Sequence, residues 1–447
     1  MDKKYTYVIV GGGPASRILN RYLRLYVPSA TTILLRDEER IVNHCGTPYI
    51  VEGIIPWKKG LIKEEIVTNF DTEIIVDKVI GGDPEKKYVL TESGKRFYYE
   101  KLIFATGTDQ VIPPIKGSDL EGILKVRKTK DLLVSIDFLN SVKDVVVLGG
   151  GYIGVEFAQS LKNMGKNVTI VELLPHIFGN NYDEKFTEKL EEEIENLGIN
   201  LITGKKAVEF TGKGRVEGVL LDDGSIIKAD AVLSAVGVKP NIEYADSFGL
   251  EYNRNGLIVD EFFRTNVKDI YAIGDCIDTI SFITKKSVPG KLGSNAGMMA
   301  RILGLQQAGL DIKYEGVINV VVTKVGNLYF GAAGLTEKNC DSFGIEYEKA
   351  EATSTTIYAN MPHVKDVYVK ILYEKGSLKI IGGELLGYTN IAGFVEVLGE
   401  MIRHGENIFD VVTMHYSSHP EMTPKTSHPY FAFCSEKILK KIIEDRR

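Results

Sequence analysis

The feature that most constrains this chain is one device used twice: an apolar run, a turn built of glycines, and a helix-forming segment. Tyr7-Val8-Ile9-Val10 reads as a buried strand, followed by Gly11-Gly12-Gly13-Pro14-Ala15-Ser16. Arg17 to Tyr26 then reads as a helix and Thr31 to Leu35 as the next strand. About 140 residues later the order recurs: strand Asp144 to Leu148, turn Gly149-Gly150-Gly151-Tyr152-Ile153-Gly154, a helix through Lys162, and strand Asn167 to Val171, ending at Glu172. Such a βαβ unit turns backbone N–H groups and a helix N-terminus toward a pyrophosphate. Two of them predict an α/β chain with two Rossmann-like halves.

The halves differ in detail. In the second, Gly149, Gly151 and Gly154 satisfy GxGxxG, and Glu172 lies where a carboxylate accepts from both ribose hydroxyls. That carboxylate repels a 2′-phosphate, so NADH is expected there, with NADPH disfavoured. In the first half, Ser16 stands at the third small position and the second strand ends Leu34-Leu35-Arg36. The nearest carboxylate is Asp37.

Composition narrows the classes. A chain of 447 residues suits two or three domains. With a net charge of −6 and no basic block, nucleic acid is not an expected partner. No apolar run reaches the roughly 18 residues that span a bilayer. The first apolar run passes straight into glycines, without the pattern of a secretory signal. A cytoplasmic protein, not membrane-associated, is the expectation. The four cysteines (Cys45, Cys276, Cys340 and Cys434) lie far apart, with no CxxC pair and no zinc-like spacing. No metal site and no disulfide framework are expected. Redox chemistry must come from one thiol, or from thiols joined by folding.

Further segments fall in an order that resembles the FAD-dependent pyridine nucleotide–disulfide oxidoreductase family. They are Cys45, Ala105-Thr106-Gly107, Glu156 after the second turn, Ala235-Val236-Gly237 with Pro240, and a strand from Ile270 ending in Gly274-Asp275. The resemblance covers nearly the whole chain. It implies an FAD domain over about 1–115 and 245–325, an NAD domain inserted over 116–244, and a C-terminal α+β interface domain over 326–447 that makes a homodimer. It further implies FAD contacts at Gly11, Gly13, Pro14, Ala15, Ser16, Asp37, Ala105, Thr106, Gly107, Gly274, Asp275 and Ala296. NADH contacts fall at Gly149, Gly151, Tyr152, Ile153, Gly154, Glu172 and Gly237. The helix beginning near Leu292 would point its positive end at the flavin.

Within the family, His44-Cys45-Gly46-Thr47-Pro48-Tyr49 is similar to the single-cysteine branch of coenzyme A–disulfide reductases, NADH oxidases, peroxidases and polysulfide reductases. Where dithiol members carry a second cysteine, five residues on, this chain has Ile50. Thr413-Met414-His415-Tyr416-Ser417-Ser418-His419-Pro420 instead resembles the His-Pro segment of dihydrolipoamide dehydrogenases, although Pro424 stands at their glutamate position. Cys45 is thus the expected redox thiol, with His419, His415 or Tyr416 of the other subunit as proton donor and Glu156 near the flavin. A lysine to pair with Glu156 has no counterpart.

The acceptor expected is a disulfide or polysulfide such as coenzyme A disulfide. Reduction of oxygen or peroxide, a dihydrolipoamide dehydrogenase-like reaction and quinone reduction stay open. Two further expectations concern surfaces. The acidic helix Asp183 to Leu197 reads as a solvated face. The tail Ser435 to Arg447, with Ile438, Leu439, Ile442 and Ile443 on one side, is expected to pack on protein and not to lie on a membrane.

Overall fold

The computed structural model describes residues 3–445, apart from 69, 71 and 180. Its first sheet forms around Lys4–Val10, whose Val8 and Ile9 are fully buried. This strand lies parallel between Thr32–Arg36 and Arg96–Phe104, with Val10 opposite both Leu35 and Phe104. Strands buried on both faces read as continuous apolar runs, which is why the sequence here shows no alternation. Glu73–Val76 extends one edge, and Val79–Asp83 with Tyr88–Thr91 forms an antiparallel extension at the other. The last parallel strand is Ile270–Ala272, paired to Leu102–Phe104. The chain leaves this sheet after residue 104 and returns to it at 270, so the topology is an insertion.

The inserted chain builds a second parallel sheet. Asp144–Leu148 is flanked by Asn167–Val171 and Asn200–Ile202 on one side and by Ala231–Ser234 and Ile123–Leu124 on the other. A small antiparallel sheet of Ala207–Lys213, Arg215–Leu221 and Ile226–Lys228 packs Phe210, Val216 and Val219 beneath it.

The C-terminal part is an antiparallel sheet of five strands, ordered Val321–Val325, Leu328–Gly334, Ile380–Gly387, Asp366–Glu374 and Tyr347–Thr355. Helices Ala392–His404 and Tyr430–Asp445 bury their apolar faces on it. The fold is therefore the expected one: two Rossmann-like halves, one inserted in the other, and an α+β C-terminal unit.

The tail helix starts at Tyr430, earlier than expected, and residues 446 and 447 of the expected tail lie outside the described residues. Ile438 is buried and Leu439 and Ile442 pack against the sheet, leaving Ile443 exposed. Among the described residues no helix is long and apolar enough to cross a membrane.

The helix Glu184–Asn196 departs from expectation. Its outer face is solvated, but Phe186, Leu190 and Ile194 are buried, and Asp183 at its N-terminus reaches the C-terminal sheet. There Asp183 Oδ2 accepts from Lys370 Nζ, while Asp183 N–H donates to Glu384 Oε1 at 2.8 Å. Lys370, only 1% exposed, also meets Glu337 at 3.2 Å and Glu384 at 2.5 Å. A buried cation among three carboxylates thus pins the second half to the C-terminal unit.

Candidate active site

The two glycine turns open with the same backbone bond. Gly11 N–H donates to Leu35 O at 2.7 Å, as Gly149 N–H donates to Val171 O at 2.8 Å. Both glycines have positive φ, +125° and +102°, and approach a neighbouring carbonyl closely. A Cβ on Gly11 would lie 2.1 Å from Ala105 O, and one on Gly149 2.5 Å from Ala235 O. Only glycine tolerates both conditions. At Gly13 and Gly151, which cap the two helices, a Cβ would meet nothing within 4 Å. Each turn thus leaves open room at a helix N-terminus, the cradle that a pyrophosphate fills. Pro14 opens the first helix, where its missing N–H costs nothing. Ser16 is buried at the position that Gly154 takes in the second half, and its hydroxyl donates to Gly13 O at 2.9 Å. Tyr152 turns its ring inward, its hydroxyl donating to Tyr182 at 2.7 Å, whereas Ile153 is exposed at the crevice.

At the strand ends the halves diverge. Glu172 accepts from Gly150 N–H at 2.5 Å and Leu174 N–H at 2.7 Å, which fixes its carboxylate beside the second turn. Arg36 occupies the same place in the first half. Asp37 is exposed and engages Lys128 at 2.8 Å.

Distant segments converge beside the first turn. Gly274 has φ +77°, and a Cβ there would lie 3.1 Å from Ala15 Cβ and 3.6 Å from Ala296 Cβ. The first helix, the Gly274-Asp275-Cys276 turn and the helix Gly293–Gln307 therefore meet at one point. Ala105-Thr106-Gly107 forms the crossing between halves: Thr106 Oγ1 donates to Asn241 O at 2.7 Å and Asn241 N–H donates to Gly107 O at 3.0 Å. A small cavity between the halves is lined by His44 and Thr47 from the first and by Arg127, Ile153, Phe157 and Gly237 from the inserted chain.

Cys45 lies at this seam. His44-Cys45-Gly46 makes a single helical turn, locked by Thr47 Oγ1 donating to His44 O at 2.8 Å, and the helix Thr47–Glu52 follows. Cys45 is exposed and unbridged, while Cys276, Cys340 and Cys434 are buried. Ile50, at the second-cysteine position of dithiol relatives, is buried. A Cβ on Gly293 would stand 3.9 Å from Cys45 Sγ, so the thiol lies against the start of the helix Gly293–Gln307.

Burial and nearby charges act on the Cys45 thiol in opposing directions. Surrounding protein raises the Cys45 thiol above its ordinary value, Glu156 and Asp275 push it further, and Arg127 pulls it down. Burial also raises Asp275, against the opposing charges of Arg127, at 3.6 Å, and Lys291. His44 is pushed down to about 4 by burial and by Arg127, so its ring is neutral at physiological pH. Glu156 is raised by burial and accepts from Thr323 Oγ1 at 3.1 Å. Thr323 is its hydrogen-bond donor here.

Arg127, Thr323 and the neutral His44 escaped sequence reasoning. The first two lie far from Cys45 along the chain and carry no local motif. His419 and Tyr416 stand on an exposed C-terminal loop, tied to Tyr358 through its N–H donating to Pro420 O at 3.0 Å. Tyr416 OH donates to Thr426 O at 2.7 Å, and His419 Nδ1 accepts from Glu421 N–H at 3.3 Å. Within one subunit these bonds do not join either residue to Cys45.

Comparison with known proteins gives this geometry its family. The family model described as pyridine nucleotide-disulphide oxidoreductase matches residues 5–300, and the dimerisation domain of the same family matches residues 320–428. The chain belongs to the pyridine nucleotide-disulphide oxidoreductase family. Members of this family are NAD(P)H-dependent flavoprotein oxidoreductases that use FAD, and the two cradles fit such a pair of dinucleotides. Among its relatives, an NADH oxidase of Methanocaldococcus jannaschii is 29% identical, over 97% of this chain and 99% of that protein. A CoA-dependent NAD(P)H sulfur oxidoreductase of Pyrococcus furiosus is 30% identical, over 95% of this chain and 97% of that protein. The reduced CoADR-RHD structure of Bacillus anthracis aligns with a TM-score of 0.93 at 25% identity, covering 99% of this chain and 81% of that one.

Proposed function

We propose that this oxidoreductase uses NADH to reduce sulfur–sulfur bonds through Cys45, with a disulfide or polysulfide such as coenzyme A disulfide as acceptor. One observation carries the reading: a solitary exposed thiol stands at the seam of two dinucleotide cradles, with buried Ile50 where a second cysteine would be. The P. furiosus relative, named for CoA-dependent sulfur reduction, supports the same choice.

The residues divide the work. The Gly11–Ser16 turn and Asp275 hold FAD, and the Gly149–Gly154 turn with Glu172 holds NADH. Bound FAD supplies the chemistry that links a two-electron hydride donor to a sulfur acceptor. Cys45 thiolate attacks one sulfur of the acceptor, forming a mixed disulfide and expelling the other sulfur as a thiolate. That thiolate takes a proton, from His419 or Tyr416 of a second subunit in a homodimer. Two electrons from NADH and one further proton then return Cys45 and release the second thiol. The sum is NADH, one disulfide and one proton giving NAD⁺ and two thiols. Arg127 steadies the Cys45 thiolate, and Glu156 with Thr323 borders it. Four unbridged cysteines suit a reducing, cytoplasmic compartment.

A second reading is NADH oxidation by oxygen, with Cys45 cycling through a sulfenic acid. The near full-length match to the M. jannaschii NADH oxidase favours it. Anaerobic NADH oxidation with coenzyme A disulfide as sole acceptor, beside an aerated sample without it, separates the two. Turnover in the anaerobic sample that Cys45→Ser abolishes is the expected result. Turnover in air alone would replace the sulfur reductase by the oxidase.

A further inference from the structure

The first cradle lacks the carboxylate that the second one has. Gly11 and Gly149 make the same bond to their neighbouring strands, so Arg36 stands where Glu172 stands. Its guanidinium is buried, 9% exposed, and turns to two acceptors: Glu39 O at 2.5 Å and Glu64 Oε1 at 2.6 Å. Its Nε–H has no hydrogen-bond partner among the described residues. The guanidinium is therefore held in place by these two acceptors.

Asp37 and Glu38, which follow Arg36, are otherwise engaged. Asp37 pairs with Lys128 at 2.8 Å, and Glu38 Oε2 accepts from Thr129 N–H at 2.7 Å. Glu64 is different. Its segment is tied to the crevice wall through Ile62 N–H donating to Ile41 O at 2.8 Å. Ile41 itself packs over the turn, since a Cβ on Gly12 would lie 2.0 Å from its Cδ1 and 3.3 Å from Arg36 Cδ. One oxygen of Glu64 is held by Arg36, and the side chain remains 39% exposed.

We propose that Glu64, fixed by Arg36, binds the ribose hydroxyls of the FAD adenosine in place of the missing strand-end carboxylate. The carboxylate comes from a loop 28 residues further along the chain and is presented through an ion pair. Here the strand end supplies the cation and the loop supplies the anion, the reverse of an acidic residue acting alone. Arg36 is a positioning residue in this arrangement, and Glu64 the contact. The inference rests on FAD occupying the first cradle, and its test reads binding without turnover.

The test measures FAD and FMN dissociation constants on flavin-stripped protein by fluorescence quenching. FMN carries the ring, ribityl chain and phosphate but no adenosine. Glu64→Gln is expected to weaken FAD by about tenfold or more, the loss of charge-assisted bonds to the diol, and to leave FMN unchanged. Arg36→Met, which fills the buried space without a charge, is expected to do the same by freeing Glu64. Equal weakening of both flavins, or of neither, would overturn the proposal and leave the pair as a wall of the crevice. Weakening by Asp37→Asn in place of Glu64→Gln would overturn it as well. Wild-type protein that binds neither flavin would remove the premise, a result distinguishable from any failure of sulfur reduction.

Discussion

Replacing Lys370 with methionine tests how the second half is held to the C-terminal unit. The side chain is 1% exposed and meets Asp183, Glu337 and Glu384, the last of these also 1% exposed. Removing one partner from a buried ionic cluster leaves charge uncompensated and costs about 3–5 kcal/mol. The cost depends on pH because Glu384 can take up a proton. Burial raises its carboxyl to about 7 even with Lys370 beside it. A carboxyl raised on folding stabilises the fold below its unfolded value and loses that contribution as pH rises through its folded value. Without Lys370 the folded value climbs further. Between pH 7 and that higher value the variant loses stability relative to wild type at about 1.4 kcal/mol per pH unit. Urea unfolding at pH 6, 7 and 8 reads this directly, as midpoints at constant slope. The expected penalty is smallest at pH 6 and grows toward pH 8. A penalty below about 1 kcal/mol at pH 8, or one independent of pH, would refute a buried, charged cluster.

Two further outcomes follow from the seam between the halves. Arg127→Gln should raise the Cys45 thiol and Glu156→Gln should lower it, because the arginine pulls the thiol down and the glutamate pushes it up. Iodoacetamide alkylation rates measured against pH should therefore shift in opposite directions, and a shared direction would contradict the arrangement. Gly149→Ala places a Cβ 2.5 Å from Ala235 O at φ +102°. It should cost NADH binding tenfold or more, about 1–3 kcal/mol of strain, while flavin absorbance is retained. Loss of the flavin instead would separate this turn from NADH.

Much of the architecture was legible because it is encoded locally. Gly11 and Gly149 are required by backbone conformation, and their neighbouring apolar strands are buried on both faces, so turn and strand appear together in the sequence. The insertion was legible only through the family resemblance, since a Gly-Asp turn after Ile270–Ala272 does not by itself say which sheet it joins. Cys45 stood out through its immediate neighbours. What escaped was everything assembled across distance. Arg127 faces Cys45 from a segment 82 positions later, and Thr323 reaches Glu156 from the C-terminal sheet. The helix Glu184–Asn196 looked merely solvated because of its acidic run, yet Asp183 before it meets Lys370 and Glu193 within it accepts from Asn327 N–H at 3.0 Å. Charge patterns on one helix do not reveal which of its carboxylates are docked.

The return of Ile270–Ala272 to the first sheet also orders events during synthesis. That strand leaves the ribosome 166 residues after Phe104, the end of the strand it pairs with. At roughly 5–20 residues per second, the first sheet stays one strand short for about 10–30 s. The second sheet suffers no such delay, because its strands all fall between Ile123 and Ser234. The nascent chain therefore completes its middle before its beginning. Through that interval the flank of Leu102–Phe104 stays without its last parallel neighbour, open to mispairing until the chain supplies it.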